Sequence, residues 1–123
     1  MKLLNGGFRA WISEGRPVTD VLPEVVHKRF TPKVDASLIV TAEEVRKGIS
    51  DLGTVLWDVR SLGEHRGDIA RGNKYTGHIP GAVHLEWKEV VQADGTGRFR
   101  SADEIRAILE KRGITPDKQV YTY

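Results

Sequence analysis

The sequence contains no cysteine. A disulfide framework is therefore excluded, and so are thiolate metal ligands from within these residues. Long hydrophobic runs are also missing. No apolar stretch approaches the ~20 residues of a membrane-spanning helix. The apolar part of Met1 to Gly7 is too short for a secretory signal, so export is not expected and the cytoplasm is the expected location. An excess of one charge is missing too. Lysines and arginines number 19 against 17 aspartates and glutamates, a formal net charge of +2. These charges alternate along the chain without long like-charge runs. That favours a solvated mixed surface over a nucleic-acid footprint, so neither nucleic acid nor membrane is an expected partner. Small anionic ligands are not excluded, because they need only local donors.

What is present is an ordinary soluble composition: 123 residues, 39% of them hydrophobic. A chain of this length suits one globular domain and can bury roughly two-thirds of its unfolded surface.

The chain changes texture along its length. Asn5-Gly6-Gly7 reads as a tight turn after a strand ending at Lys2 to Leu4. Phe8, Trp11 and Ile12 recur at helical spacing, with Gly15 as a C-terminal cap and Pro17 as a stop. Residues 17–37 hold Pro17, Pro23 and Pro32 and show no sustained period, so they read as an extended linker. Leu38 to Val40 is a short apolar strand by pattern. Thr41-Ala42-Glu43-Glu44 is a capping-box signature opening a helix to about Ser50. Thr54 to Val59 is a nearly continuous apolar strand, suited to cover on both faces. Ser61-Leu62-Gly63-Glu64 repeats the capping-box pattern, Ala82 to Trp87 reads as a strand, and Asp94 to Gly97 as a turn. Ser101-Ala102-Asp103-Glu104 opens a third helix with Ile105, Ile108 and Leu109 on one face. Gln119 to Tyr123 is the last predicted strand.

This alternation predicts an α/β fold, a parallel sheet with right-handed crossovers and helices on both faces. Ligands in such sheets bind at the carboxyl ends of the strands. Asp58 to Arg60 and Tyr123 both fall at such ends.

Asp58-Val59-Arg60, Glu64, Gly67 and Gly77-His78-Ile79-Pro80-Gly81-Ala82, at this spacing, resemble the rhodanese (thiosulfate sulfurtransferase) family. Residues 38–123 resemble the first two-thirds of one such domain. Leu3 to Val18, with its Gly-Gly-Phe-Arg-Ala-Trp core, resembles the last strand and helix of another. The order is that of the middle of a tandem enzyme: residues 1–16 as the tail of a preceding domain, 17–37 as interdomain linker, and 38–123 as a second domain ending just before its active-site loop. The resemblance implies a nucleophilic cysteine directly after Tyr123, outside this sequence. In this reading the chain is one piece of a longer molecule. The alternative is that Lys2 to Asn5 takes the place of the missing final strand, in its own chain or a neighbour's.

The family reaction moves sulfane sulfur. A cysteine thiolate attacks the outer sulfur of thiosulfate, sulfite leaves, and the persulfide passes its sulfur to cyanide or a thiol. The implied partners are thus a small anionic sulfur donor and a cyanide or thiol acceptor, together with a homo-oligomer or the rest of the parent chain. No metal or organic cofactor is implied. Arg60 and Arg66 are the candidate substrate-binding cations, with Arg71 as a further source of charge. For Arg60 the competing reading is an ion pair that holds the strand end. Asp58 is read as structural, since an acceptor-only carboxylate repels thiosulfate. Glu64 stands where some tandem members carry a thiosulfate-binding arginine; its own reading is the capping box with Ser61. His78 is read as a turn residue bonding the backbone, and His27, His65 and His84 as scattered residues without a metal pattern. Trp11, Trp57 and Trp87 are read as core or interface packing. Two other functions fit the residues: a non-catalytic rhodanese-like binding or regulatory module, and a phosphatase or arsenate reductase on the same fold with a longer active-site loop.

Overall fold

Each of the three Ser/Thr-x-x-Glu patterns closes on itself. The Thr41 hydroxyl accepts from the Glu44 N–H while the Glu44 carboxylate accepts from the Thr41 N–H at 2.6 Å. Ser61 with Glu64 and Ser101 with Glu104 do the same. Two backbone donors at each helix start are satisfied by residues three apart, so these starts need no tertiary help. They open α2 (Ala42–Gly48), α3 (Leu62–Arg66) and α4 (Ala102–Glu110). The computed structural model describes residues 2–123. It adds α1 (Gly7–Ser13) and short 3-10 helices at Ala36–Leu38 and Trp87–Val90.

Between the helices run β1 (Thr54–Asp58), β2 (Val83–His84) and β3 (Gln119–Thr122). They form one parallel sheet in the order β2-β1-β3. The α/β expectation is therefore met. β1 is central, so its carboxyl end has a neighbouring strand end on each side. Asp58 is in register with His84, and Trp57 with Thr122. The ladder continues past the strands: the Leu85 N–H donates to the Asp58 carbonyl at 3.1 Å and the Val59 N–H to the Tyr123 carbonyl at 3.1 Å. This brings residues 58–60, 84–85 and 123 together.

The core is small. Leu56, Leu85, Val90, Ile114 and Ala10 are its buried apolar residues, with Leu85 fully enclosed. Full burial of one such leucine contributes about 1.5–3 kcal/mol. Many other apolar side chains stay in contact with solvent, among them Leu52 at 91%, Leu22 at 90% and Phe30 at 85% exposure. Trp57 is half-buried and its Nε1–H donates to the Leu85 carbonyl at 2.8 Å. Trp11 donates to the Pro17 carbonyl, and Trp87 is more than half exposed, so it is not a core residue of this chain.

Three local expectations are corrected. Leu38 to Val40 is not a strand: Leu38 ends a 3-10 turn capped by Asp35, and Ile39 is largely exposed. A strand needs a partner edge, and a gap of about 180 Å³ separates Leu38 and Val40 from β3. Ala82 to Trp87 keeps only two strand residues, because the chain turns at Trp87 into a 3-10 helix. Lys2 to Leu4 is not a strand either and does not enter the sheet. Asn5 instead accepts from the Phe99 N–H at 2.9 Å, which holds the N-terminal turn against the loop before α4. Both edges of β1 are taken by β2 and β3, so residues 2–5 do not stand beside it. Residues 17–35 run without helix or strand and are exposed throughout, as an extended segment should be.

Candidate functional site

The carboxyl end of β1 delivers Asp58, whose side chain is fully buried. A lone buried carboxylate is costly, and this one is compensated by four donors. Arg60 supplies three: its backbone N–H at 3.0 Å and Nε at 2.9 Å to Oδ1, and Nη2 at 2.7 Å to Oδ2. His65, in the last turn of α3, supplies the fourth from Nδ1 to Oδ2 at 3.0 Å. Burial pushes the Asp58 carboxyl up, but the hydrogen bonds from Arg60 and His65 and the guanidinium charge outweigh it, and its pKa falls to about 2. Asp58 in turn raises the pKa of Arg60.

Arg60 reaches further. Its Nη2 also donates to the Gly77 carbonyl at 2.9 Å, and its guanidinium carbon lies 5.1 Å from the centre of the Tyr123 ring. Tyr123 closes the other side, with its hydroxyl accepting from the Ile79 N–H at 3.0 Å. Burial, ahead of the nearby Asp58 charge, raises the Tyr123 phenol above its ordinary range, although the Ile79 hydrogen bond opposes the shift. These groups line an open cleft of about 290 Å³ shared by Arg60, Tyr75, Thr76, His78, Ile79 and Tyr123. Gly67 ends α3 in the left-handed region at φ 89°, and a side chain there would crowd the Gly77 N–H at 3.2 Å. Glycine at this position lets α3 and the Gly77–Pro80 loop approach closely.

The loop is also tied to α3 through imidazoles. The His65 and His78 rings stack with centroids 3.8 Å apart, and His84 lies 4.7 Å from His65. Each ring has one nitrogen assigned by its acceptor. His65 donates from Nδ1 to the Asp58 carboxylate, His78 from Nδ1 to the His65 carbonyl at 2.7 Å, and His84 from Nε2 to the Arg60 carbonyl at 3.0 Å.

The expected site residues thus fall into three groups. Asp58, Arg60, His78 and Tyr123 converge at the carboxyl ends of β1 and β3. Glu64 caps α3 through Ser61 and lies 3.4 Å from Arg71, so its carboxylate is spent at the helix start. Arg66 is exposed and does not line the cleft. Sequence reasoning missed His65 and His84. The signal for His84 was its place at the carboxyl end of β2, one strand over from Asp58. No local pattern marked His65.

Known proteins share this chain's sequence pattern and fold. The profile of the Rhodanese-like domain family matches residues 41–123. The sulfur carrier protein TtuD of Thermus thermophilus is 37% identical, with all of this chain and 46% of TtuD aligned. A thiosulfate sulfurtransferase of Azotobacter vinelandii is 36% identical over 98% of this chain and 43% of its own length. The chain therefore spans less than half the length of these relatives. Among solved structures, an EanB variant with ergothioneine covalently linked with a persulfide superposes at a TM-score of 0.81. It is 25% identical, over 98% of this chain and 30% of EanB. The matched span holds β1 to β3 and the whole Asp58–Arg60–Tyr123 cleft, and the chain belongs to the Rhodanese-like domain family.

Proposed function

We propose that this chain is the middle part of a tandem thiosulfate sulfurtransferase that works through a cysteine persulfide. The nucleophilic cysteine is supplied by the residue directly after Tyr123. The observation that carries this reading is the cleft at the joint carboxyl ends of β1 and β3, where Arg60 and Tyr123 face each other. The Tyr123 carbonyl accepts from the Val59 N–H at 3.1 Å, so a residue following it starts beside the strand end that carries Arg60. In the first half-reaction a thiolate there forms a bond to the outer sulfur of thiosulfate. The sulfur–sulfur bond of the donor breaks, and sulfite leaves with its electron pair. In the second, cyanide or a thiolate takes the outer sulfur and the cysteine thiolate is regenerated.

The chain's own residues prepare this ground. Asp58 neutralises much of the Arg60 charge and fixes its direction, leaving the Nη1 side of the guanidinium for an anionic donor or for the following loop. The names of the relatives, a thiosulfate sulfurtransferase and a sulfur carrier, support the chemistry. The relatives' greater length supports a tandem arrangement, with residues 1–16 as the end of one domain, 17–37 as linker and 38–123 within the next. The exposed Leu22, Phe30 and Leu52 support packing against further parts of the parent chain or a second copy. No helix among the described residues is long and apolar enough to cross a membrane.

Peptide mapping and intact mass of the full-length protein test the proposal. Cysteine after Tyr123, carrying about 32 additional mass units after incubation with thiosulfate, is the expected result for a persulfide. Aspartate or serine at that position would instead make this a non-catalytic rhodanese-like binding module.

A further inference from the structure

Away from the cleft, a second concavity forms where α1 meets residues 87–100. Its volume is about 480 Å³, larger than that of the Arg60 cleft. Both walls are built by local chemistry. The 87–100 segment folds back as a hairpin: the Gln92 N–H donates to the Arg98 carbonyl at 2.8 Å, and the Arg100 N–H to the Val90 carbonyl at 3.0 Å. Against it stands α1, pinned by the Asn5–Phe99 hydrogen bond and by an ion pair between Glu14 and Arg98. The approach is close. A side-chain carbon at Gly6 would lie 2.8 Å from Arg98 Cγ. A groove whose walls are already held in place loses little further freedom when a ligand enters.

The lining has a definite chemical character. Arg9, Lys88 and Arg100 face it, and no carboxylate does. Lys88 is 3.0 Å from Glu86, and Arg100 spends Nε on the Glu89 carbonyl at 2.9 Å with Nη1 3.9 Å from Glu104. Arg9 enters no ion pair among the described residues. The groove therefore keeps an excess of positive charge. Its apolar lining is Trp87 with Val91 and Ala93; Trp87 is 55% exposed, and Lys88 Nζ lies over one side of its ring, 5.9 Å from the centre. An indole left open to solvent next to ammonium and guanidinium groups suits a flat ring that stacks while its anionic group meets the cations. The groove beside α4 is a contrast. It is about 430 Å³ and lined by Ile105, Leu109 and Ile114, but it presents Arg106 and Glu110 together and so has no charge preference.

We propose that the groove between α1 and residues 87–100 is a binding site for a small anion that carries a planar ring. Trp87 stacks the ring, and Arg9, Lys88 and Arg100 hold the anionic group. Free aromatic acids and mononucleotides share this chemistry. The groove shares no lining residue with the Asp58–Arg60 cleft, although the Trp87 N–H donates to the Val59 carbonyl at 3.0 Å, and the proposal does not rest on the sulfurtransferase reading.

Isothermal titration calorimetry on the full-length protein tests it, with naphthoate and adenosine monophosphate as probes and inorganic phosphate as control. Saturable binding of at least one probe is expected, weakening as salt is added because the cations are exposed. Lys88→Glu and Arg9→Glu should each weaken binding about tenfold, which corresponds to about 1.4 kcal/mol. Trp87→Ala should weaken both ring-bearing probes by a similar factor and leave phosphate unchanged. Both charge reversals are on exposed side chains, so circular dichroism should be unchanged. Binding of one probe and not the other names the source; binding of both leaves the shared chemistry as the specificity. The proposal is overturned by absence of saturable binding at millimolar concentration. It is overturned equally by phosphate binding as tightly as adenosine monophosphate, or by affinity that survives Lys88→Glu and Trp87→Ala unchanged.

Discussion

Arg60 grips Asp58 with two guanidinium nitrogens, at 2.9 and 2.7 Å, and with its own backbone N–H at 3.0 Å, although only Val59 separates them in sequence. The pair turns the chain at the end of β1 and aims the arginine across the cleft toward Gly77 and Tyr123. Because the carboxylate is fully enclosed, the contact is unlike a surface ion pair, and removing either partner strands the other.

Asp58→Asn should therefore destabilise the protein by about 3 kcal/mol, since it leaves the guanidinium and the His65 N–H with a poorer acceptor. Urea titration followed by circular dichroism measures this. A loss below about 0.5 kcal/mol, the level of an exposed pair, would show that the enclosure counts for little.

The same carboxylate sets an acid response. Its pKa is about 2 in the fold against 3.8 as the ordinary value. A group depressed in this way contributes stability that is present above the unfolded pKa and lost as pH falls through the folded one. The stabilisation should thus be full above about pH 4 and should fade toward pH 2, by about 2 kcal/mol in all. Urea titrations across that window should show a shallower decline for Asp58→Asn than for the native protein. Equal slopes would place the acid sensitivity elsewhere.

Arg60→Lys tests geometry against charge. An ammonium cannot reach both carboxylate oxygens and the Gly77 carbonyl together. Its stability should lie between those of the native protein and Arg60→Ala, roughly 1 kcal/mol below native. A lysine variant as stable as the native protein would mean that a point charge suffices.

Gly6→Ala should be far more harmful than Gly72→Ala, although both positions have positive φ, 86° and 80°. A methyl at Gly6 would come within 2.4 Å of Ala10 Cβ, whereas at Gly72 nothing lies within 4 Å. The expected costs are about 3 kcal/mol and about 1 kcal/mol. Hydrogen exchange in α1 should accelerate for the first variant only.

Leu85→Ala should cost about 2–5 kcal/mol, because Leu85 is wholly buried in a core with few other members. The midpoint of thermal unfolding reads this directly, and a cost under 1 kcal/mol would indicate that the core closes over the gap.

The three capping boxes were legible because both partners lie within one turn and their hydrogen bonds depend on no distant residue. The central strand was legible for a related reason. Thr54 to Val59 is nearly all apolar around Val55-Leu56-Trp57, which suits burial on both sides of a parallel sheet. Leu38 to Val40 looked equally apolar and is not a strand. Pattern reports that a segment can pair; it does not report whether an edge lies beside it. The site divides in the same way. Asp58, Arg60 and Tyr123 are legible as residues at strand ends, while His65 and His84 are not, since the contacts of the His65 ring with His78 and His84 join a helix, a loop and a strand from separate parts of the chain.

By itself, then, the sequence determined the helix starts, the alternation of helix and strand, the family motifs and the absence of a thiol. Each of these is written in neighbouring residues or in composition. Only the tertiary structure decided that Arg60 is bound to Asp58 and directed across the cleft, that Arg66 lies outside the cleft, and that α1 docks on the loop before α4. Those outcomes depend on which backbone stands next to which. Parallel pairing and close packing bring such residues together across long stretches of chain, which local preference cannot encode.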